Sequence, residues 1–172
     1  MNILIISIDH SFQIVEEEID SAQLRTQKRA LRELLQIYLA GHKVAMIFEE
    51  SSPSQVSIAD RLASHNDPAI LWHNINMTND ERQAAGILDA LENRPVHLVP
   101  EGGTRRILIQ DRIPEDVIRE NFFVNKILEG TDSDGKILVL LGNMHVIPVA
   151  EKLRAMGHSV DLRDELMPIV HI

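Results

Sequence analysis

Short apolar runs alternate along this chain with segments in which apolar residues recur every three or four positions. Residues 137–141 (ILVLL) are apolar without a break, which is the pattern of a strand buried on both faces. A helix with one apolar face follows, and that face comprises Val149, Leu153 and Met156. Gly157 marks the end of this helix, and residues 159–162 have the pattern of a second short strand. The segment therefore predicts a β-α-β unit.

The same alternation predicts the other regular elements. Further strands are predicted at residues 2–8, 43–48 and 69–75. Helices are predicted from Asp20 to Gly41, after Pro53, from Thr78 to about Asn93, and from Pro114 onward. Thr78 and Glu81 have the spacing of a capping box. The helix after Pro53 contains Val56, Ala59, Leu62 and Ala63, and the helix from Pro114 is expected to bury Val117, Phe122 or Phe123, and Leu128.

Three segments depart from this rhythm. Residues 9–19 are polar and predicted to be irregular. Residues 95–112 predict two short strands around a turn at residues 101–104, as a β-hairpin excursion, and the tail after Leu162 predicts one last edge segment. The whole pattern predicts a single domain, residues 1–172, with an α/β fold. We expect a three-layer sandwich in which helices cover both faces of a mostly parallel central sheet.

Composition narrows the class of partner. The chain has 172 residues and a net charge of -9 at pH 7, which disfavours nucleic acid and anionic membranes as main partners. A small-molecule or peptide substrate remains open, as does a homo-oligomer. There is no cysteine, so a metal site would rely on His, Asp and Glu. Residues 1–8 lack the features of a signal peptide or membrane span, and we expect a cytoplasmic protein.

Polar side chains of the types that bind metals or act as general bases follow the predicted parallel strands. These strand-end residues are Asp9 and His10, Glu49 and Glu50, His73, and Gly142 with His145. Because the carboxyl ends of parallel strands meet at one edge of a sheet, we expect them to converge there. Imidazoles and carboxylates are ligands for zinc, manganese or cobalt, and they also act as general bases on water without a metal. Each of these residues, taken singly, is more often an ordinary polar end of a strand.

The helix from Pro114 carries a further candidate pair, Arg119 and Glu120. Arginine and glutamate neighbours are common on solvated helix surfaces. The functional interpretation is that Arg119 points toward the strand ends, where it binds an anionic group or orients a carboxylate. The sequence leaves both interpretations open. The glycine-rich residues 101–104 lack the lysine and the following helix of a phosphate-binding loop, so we interpret them as a turn.

The order of these motifs resembles a known group of proteins, the erythromycin esterase/ChaN and TraB–Tiki superfamily. The sequences S-I-D-H at residues 7–10 and G-N-M-H at residues 142–145 are similar to its paired GxxH motifs. Glu49–Glu50 and Arg119–Glu120 occupy, in the same order, the places of its strand-end glutamates and helix arginine. The resemblance covers roughly residues 1–50 and 113–162. Members include esterases that hydrolyse a macrolide ring, metal-dependent proteases and haem-binding proteins.

The resemblance implies a small hydrolase of ester or peptide bonds. In that interpretation His10, His145 and Glu49 or Glu50 bind a divalent metal (manganese, zinc or cobalt) or activate water directly, and Arg119 holds negative charge. The residues expected to support them are Asp9, His73, Glu120 and Gly142. The alternatives are a non-catalytic protein that binds a small ligand or haem at the same place, and an interaction protein in which these residues are structural.

Overall fold

The computed structural model describes residues 2–15, 20–52, 54–66, 68–94, 97–98, 105–106, 112–130 and 135–163. Its strands are β1 (Asn2–Ile8), β2 (Val44–Glu49), β3 (Leu71–Asn74), β4 (His97–Leu98), β5 (Arg105–Arg106), β6 (Lys136–Gly142) and β7 (Ser159–Arg163). Its helices are α1 (His10–Gln13), α2 (Ala22–Gly41), α3 (Ile58–Ser64), α4 (Asn79–Ala84), α5 (Leu88–Glu92), α6 (Asp116–Glu129) and α7 (Asn143–Ala155). The predicted turn at residues 101–104 and the tail from residue 164 lie outside the described residues.

Five parallel strands form the central sheet in the order β3-β2-β6-β1-β7. The central strand is β6, the apolar run that the sequence singles out. Its side chains point alternately to the two faces, as the strand period requires. Ile137, Val139 and Leu141 pack into one apolar cluster, and Leu138 and Leu140 pack into the other. Both faces of β6 are therefore buried, as an uninterrupted apolar run predicts.

Helices cover the sheet on both sides. The first cluster contains Phe123 and Ile127 of α6 and Val149 and Leu153 of α7. The second contains residues of α2 and α3, among them Leu35. The predicted α/β sandwich with helices on both faces is confirmed, and the described strands of its sheet are all parallel. The two short strands β4 and β5 pair antiparallel outside this sheet. In the part of the chain that the structure describes, no helix has the length and apolarity needed to cross a bilayer.

The prediction of one helix from Thr78 to about Asn93 is wrong. Thr78 does begin a helix, and its capping box with Glu81 is present. The helix ends after one and a half turns because Gly86 adopts a positive φ of 70°. Ile87, the next residue, is 1% exposed, and α5 begins directly after it. The break leaves α4 as a separate short helix.

The predicted apolar faces of α6 and α7 are wrong at one residue each. Val117 is 40% exposed, and Met156 lies beyond the end of α7 and is 55% exposed. The buried face of α6 comprises Asp116, Arg119, Glu120, Phe123, Val124 and Ile127. Its first turns therefore bury charged side chains, which the hydrophobic pattern assigns to solvent. Residues 9–19, expected to be irregular, include the short helix α1 directly after β1.

The strand registers bring three strand ends side by side in the middle of the sheet. Ile8 of β1 pairs with Gly142 of β6, and Glu49 of β2 pairs with Leu140 of β6. The backbone N–H of Glu50 continues this ladder by donating to the Leu140 carbonyl, at 2.9 Å. We call the region where β2, β6 and β1 end the C-terminal edge. This is the position at which ligands bind in open parallel sheets.

Candidate active site

Glu50 lies on the α6–α7 side of the C-terminal edge and joins three elements. Its Oε1 accepts a hydrogen bond from Arg119 Nη2 of α6 at 2.6 Å. Its Oε2 accepts the backbone N–H of Gly142, at the end of β6, at 3.0 Å. Glu50 and Arg119 are both buried. The ion pair therefore connects β2, β6 and α6, and Arg119 reaches the strand ends instead of lying on the surface.

His145, in the first turn of α7, lies on the other side of Arg119. Arg119 Nη1 is 3.1 Å from His145 Nε2. Because a guanidinium only donates, this contact is a hydrogen bond when His145 Nε2 accepts and the ring carries its proton on Nδ1. Phe123 holds the pair in place, since its ring lies under the Arg119 guanidinium and meets the His145 ring edge-on.

Glu120 receives that Nδ1 proton. Its Oε1 is 3.4 Å from His145 Nδ1, and both of its carboxylate oxygens accept hydrogen bonds from Arg112. Burial acts to raise the pKa of Glu120, but the His145 hydrogen bond and Arg112 outweigh it and lower the pKa below its usual value. Glu120 therefore stays ionised and orients His145.

His10 begins α1, directly after β1, and its orientation is fixed by Gln13 one helical turn later. Gln13 Nε2 donates to the Glu50 backbone carbonyl at 2.9 Å and to Glu49 Oε1 at 3.1 Å. The Gln13 oxygen therefore faces His10 and accepts its Nδ1–H at 2.7 Å. A neutral His10 then presents a bare Nε2, which lies 3.7 Å from Glu50 Oε2. The His10 side chain is 53% exposed, so this nitrogen borders solvent.

The electrostatics of Glu50 keep it ionised although it is buried. Burial by itself would raise its pKa. The positive charges of His145 and His10, when these rings are protonated at low pH, and of Arg119, together with the Gly142 N–H, outweigh that effect and hold the pKa of Glu50 well below its usual value. The C-terminal edge therefore presents a permanent carboxylate next to an imidazole nitrogen that has a free lone pair.

Glu49 lies on the opposite face of the sheet, because successive side chains of β2 alternate. Its carboxylate accepts hydrogen bonds from Ser57 Oγ at 2.5 Å, Trp72 Nε1 at 2.7 Å and Gln13 Nε2 at 3.1 Å. Burial raises the pKa of Glu49 to about 7, although these hydrogen bonds and His10 act to lower it. Glu49 therefore contacts His10 only through Gln13, and it exchanges a proton near neutral pH.

The remaining predicted residues occupy different places. Asp9 is half-buried between β1 and α1. His73 lies on the edge strand β3, where its exposed ring stacks on Phe48 at a centroid distance of 5.3 Å, so it does not join His10 and Glu50. Gly142 lies directly against His10 and Glu50. A Cβ at position 142 would come within 2.5 Å of His10 Nε2 and 3.2 Å of Glu50 Oε2.

Sequence reasoning missed several residues around the site: Gln13, Asn76, Arg82, Arg94, Arg112 and Asp116. Gln13 had a usable signal, since its spacing of three from His10 places both on one side of a helical turn. Asn76 is the first polar residue after β3, a strand-end position like those of His10 and Glu50. The arginines gave no signal in the sequence, because charged residues on helices usually face solvent.

Of the predicted metal ligands, His10, Glu50 and His145 come together, since the Glu50 carboxylate lies 3.7 Å from His10 Nε2 and 3.8 Å from His145 Nε2. Among the described residues, no group of three or more His, Asp or Glu side chains is arranged to hold a metal ion. Glu49 is on the other face of the sheet, and the Arg119 guanidinium lies against both Glu50 Oε1 and His145 Nε2. A divalent cation at those atoms would face a fixed positive charge. With Arg119 in this position, Glu50 and His145 do not fit a shared metal ion, and we assign no step to one.

The chain was compared with protein-family models, with curated proteins and with solved structures, and no match was found. The resemblance to the erythromycin esterase/ChaN and TraB–Tiki superfamily therefore stays a prediction from the motifs.

The close approach at Gly142 yields a prediction. Gly142→Ala should push the His10 ring away from Glu50 while the fold is retained, because the nearest obstacle is the end of a half-exposed side chain and φ at this glycine is ordinary for any residue. We expect a displaced His10 imidazole signal in NMR spectra. Gly41→Ala is the control, since no atom lies within 4 Å of its added Cβ. Unchanged His10 signals in Gly142→Ala would contradict the contact.

Glu49 yields a prediction on pH. Its pKa is about 7 in the folded state against 4.5 unfolded, so the folded chain binds more protons between those values. Glu49 therefore makes the free energy of unfolding decrease as pH rises from 4.5 to 7, by at most about 1.4 kcal/mol per pH unit. Glu50 and Glu120, with lowered pKa values, lose their stabilisation only at lower pH.

The measurement is urea denaturation across this range for the wild type and for Glu49→Gln. The difference in unfolding free energy between the two should change with pH, because the amide does not titrate. Glu33→Gln, at an exposed position on α2, controls for the lost charge. A difference that is constant with pH would show that Glu49 is ionised throughout.

Proposed function

We propose that this protein is a hydrolase of ester or peptide bonds in which His10 activates water. The observation that carries the proposal is the pair of acceptors at the C-terminal edge, His10 Nε2 and Glu50 Oε2, 3.7 Å apart at the boundary with solvent. While His10 is neutral, two acceptors at this distance repel unless a donor bridges them. One water molecule can donate to both with hydrogen bonds of about 2.8 Å, which leaves its lone pair directed outward.

In the proposed reaction that water attacks the carbonyl carbon of the substrate as its proton passes to His10 Nε2. The imidazolium that forms is stabilised by the neighbouring Glu50 carboxylate, and Gln13 keeps the ring in the tautomer that can accept the proton. The tetrahedral intermediate then expels the alcohol or amine, which takes the proton from His10. Water is consumed and one carboxylic acid forms with one alcohol or amine, so the atoms balance.

Arg119 has two roles in this scheme. It keeps Glu50 ionised through the 2.6 Å ion pair, and its positive charge lies near the oxygen that becomes negative in the intermediate. Its buried Nε has no hydrogen-bond partner in the described part of the protein. His145, which Glu120 orients, contacts the guanidinium through Nε2. The structure therefore supports His145 as a positioning residue, although the sequence predicted a catalytic or metal-binding role.

The test is hydrolysis of a panel of activated esters and short peptides by the wild type and His10→Gln. Loss of a general base should lower kcat by about 10²- to 10⁴-fold. Folding should be retained, because the His10 side chain is half-exposed. His65→Gln, at an exposed histidine after α3, is the matched control. Full activity in His10→Gln would contradict the assignment of the base.

Dialysis against a chelator separates this scheme from metal-dependent hydrolysis. Turnover should be unchanged after dialysis if His10 acts on water directly. Turnover that is lost and then restored by manganese, zinc or cobalt would favour the metal-dependent interpretation. A wild type that turns over no member of the panel, but binds a small ligand or shows a haem absorbance band, would favour the non-catalytic alternative.

A further inference from the structure

Positive charge accumulates around the candidate active site although the whole chain has a net charge of -9. Ion pairs of 4 Å or less link three buried carboxylates to four cationic side chains. These pairs are Glu50 with Arg119, Asp116 with Arg94 and Arg119, and Glu120 with Arg112 and Lys152. Cations already exceed carboxylates in this group, and Arg82 adds a further positive charge beside it.

Arg82 and Arg119 converge on one neutral atom. Arg82 Nη2 donates to Asn76 Oδ1 at 2.9 Å, and Arg119 Nη2 approaches the same oxygen at 3.5 Å. The other hydrogen bond of Arg82 is a long one to Asn79, at 3.5 Å. No carboxylate among the described residues forms an ion pair with Arg82, and its buried Nε has no hydrogen-bond partner there. The amide oxygen of Asn76 supplies a contact but no negative charge.

The arrangement is electrostatically incomplete. Burial and the neighbouring Arg119 lower the pKa of Arg82, and Glu50 offsets this only in part. Two guanidinium groups that share a partly buried position repel one another unless an anion lies between them. An oxyanion beside Asn76 would accept hydrogen bonds from both guanidinium groups. The forked N–H donors of a guanidinium match the geometry of a carboxylate or a phosphate.

We propose that Arg82, Asn76 and Arg119 form a subsite for an oxyanion group, a carboxylate or a phosphate, on the substrate. The role of this subsite in catalysis rests on the proposed hydrolase function, and the substrates are then esters or peptides that carry an anionic group. Arg119 Nη2 contacts both Glu50 Oε1 and Asn76 Oδ1, so the same guanidinium borders the subsite and the Glu50 carboxylate. The scissile carbonyl then faces His10, and the anionic group anchors the substrate on the α4 side.

Binding of inorganic phosphate and of acetate, measured separately by calorimetric titration, tests the subsite without any reaction. Arg82→Gln should weaken the binding of the preferred anion by about tenfold or more, and Arg82→Lys should give an intermediate value because it keeps charge but loses the fork. Arg61→Gln, at an exposed arginine on α3 across the sheet, should bind like the wild type. The relative affinities for phosphate and acetate distinguish the two oxyanions.

The proposal is overturned if the wild type binds neither anion, if Arg82→Gln binds as tightly as the wild type, or if Arg61→Gln loses affinity equally. A thermal melt of each variant accompanies the titration. Arg82→Lys tests the subsite if Arg82→Gln fails to fold, and unchanged anion affinity in a folded Arg82→Lys would also overturn it.

Kinetics separate this inference from the proposed function. Matched esters with and without a carboxylate should show a larger increase in KM for the carboxylated member when Arg82 is replaced by glutamine. Equal changes for both esters would overturn the subsite while hydrolysis stands. Arg82-dependent phosphate binding in a protein that hydrolyses no ester or peptide would contradict the proposed function and support the subsite.

Discussion

The buried ion pair between Glu50 and Arg119 is the interaction on which the rest of the site depends. Glu50 is 1% exposed, and an ionised carboxylate in such a position is costly without a partner. Arg119 supplies that partner from α6, and breaking a buried pair by removing one member typically costs about 3–5 kcal/mol. The pair also determines its neighbours. When neutral His145 accepts from Arg119, its proton lies on the side of Glu120, which in turn is held by Arg112.

Two adjacent glutamates behave differently because strand alternation places them in different surroundings. Glu50 meets a guanidinium and a backbone N–H and stays ionised, while Glu49 meets only neutral donors and has a pKa of about 7. Gln13 contacts both through its amide nitrogen, since it bonds to the Glu49 carboxylate and to the Glu50 carbonyl. The protonation of Glu49 is thus linked, through one amide, to the orientation of His10. The general lesson is that burial and partners, not residue type, set the chemistry of a carboxyl group.

The sequence predicted the parts of this structure that follow from hydrophobic periodicity. The uninterrupted run in β6 predicted a strand buried on both faces, and the rule for parallel strands predicted the edge where His10, Glu50 and Gly142 meet. Periodicity failed in α6, where the first buried turns carry Asp116, Arg119 and Glu120. Each of these side chains is buried together with a partner of opposite charge that lies outside α6: Arg94 for Asp116, Glu50 for Arg119 and Arg112 for Glu120. A pattern along one helix has no information about them.

Other features depended on local conformation that a single sequence does not reveal. The bend at Gly86 separates α4 from α5, and this short helix presents Arg82 toward Asn76. Likewise, the sequence does not distinguish Glu49 from Glu50 as the site carboxylate, because it does not reveal on which face of the sheet α6 and α7 pack. His73 met the same strand-end rule as His10, but it lies on the edge strand, away from the three central strand ends.

The most direct test of the central claim is the tautomeric state of the two histidines. Long-range ¹H–¹⁵N NMR spectra of histidine-labelled protein report which ring nitrogen carries the proton, and His10→Gln and His145→Gln assign the signals. When the imidazoles are neutral, the account predicts a proton on Nδ1 and a bare Nε2 in both rings. A proton on Nε2 of His10 would mean that Gln13 does not fix the ring as described. Such a nitrogen could not accept a proton from water, and the account would be contradicted.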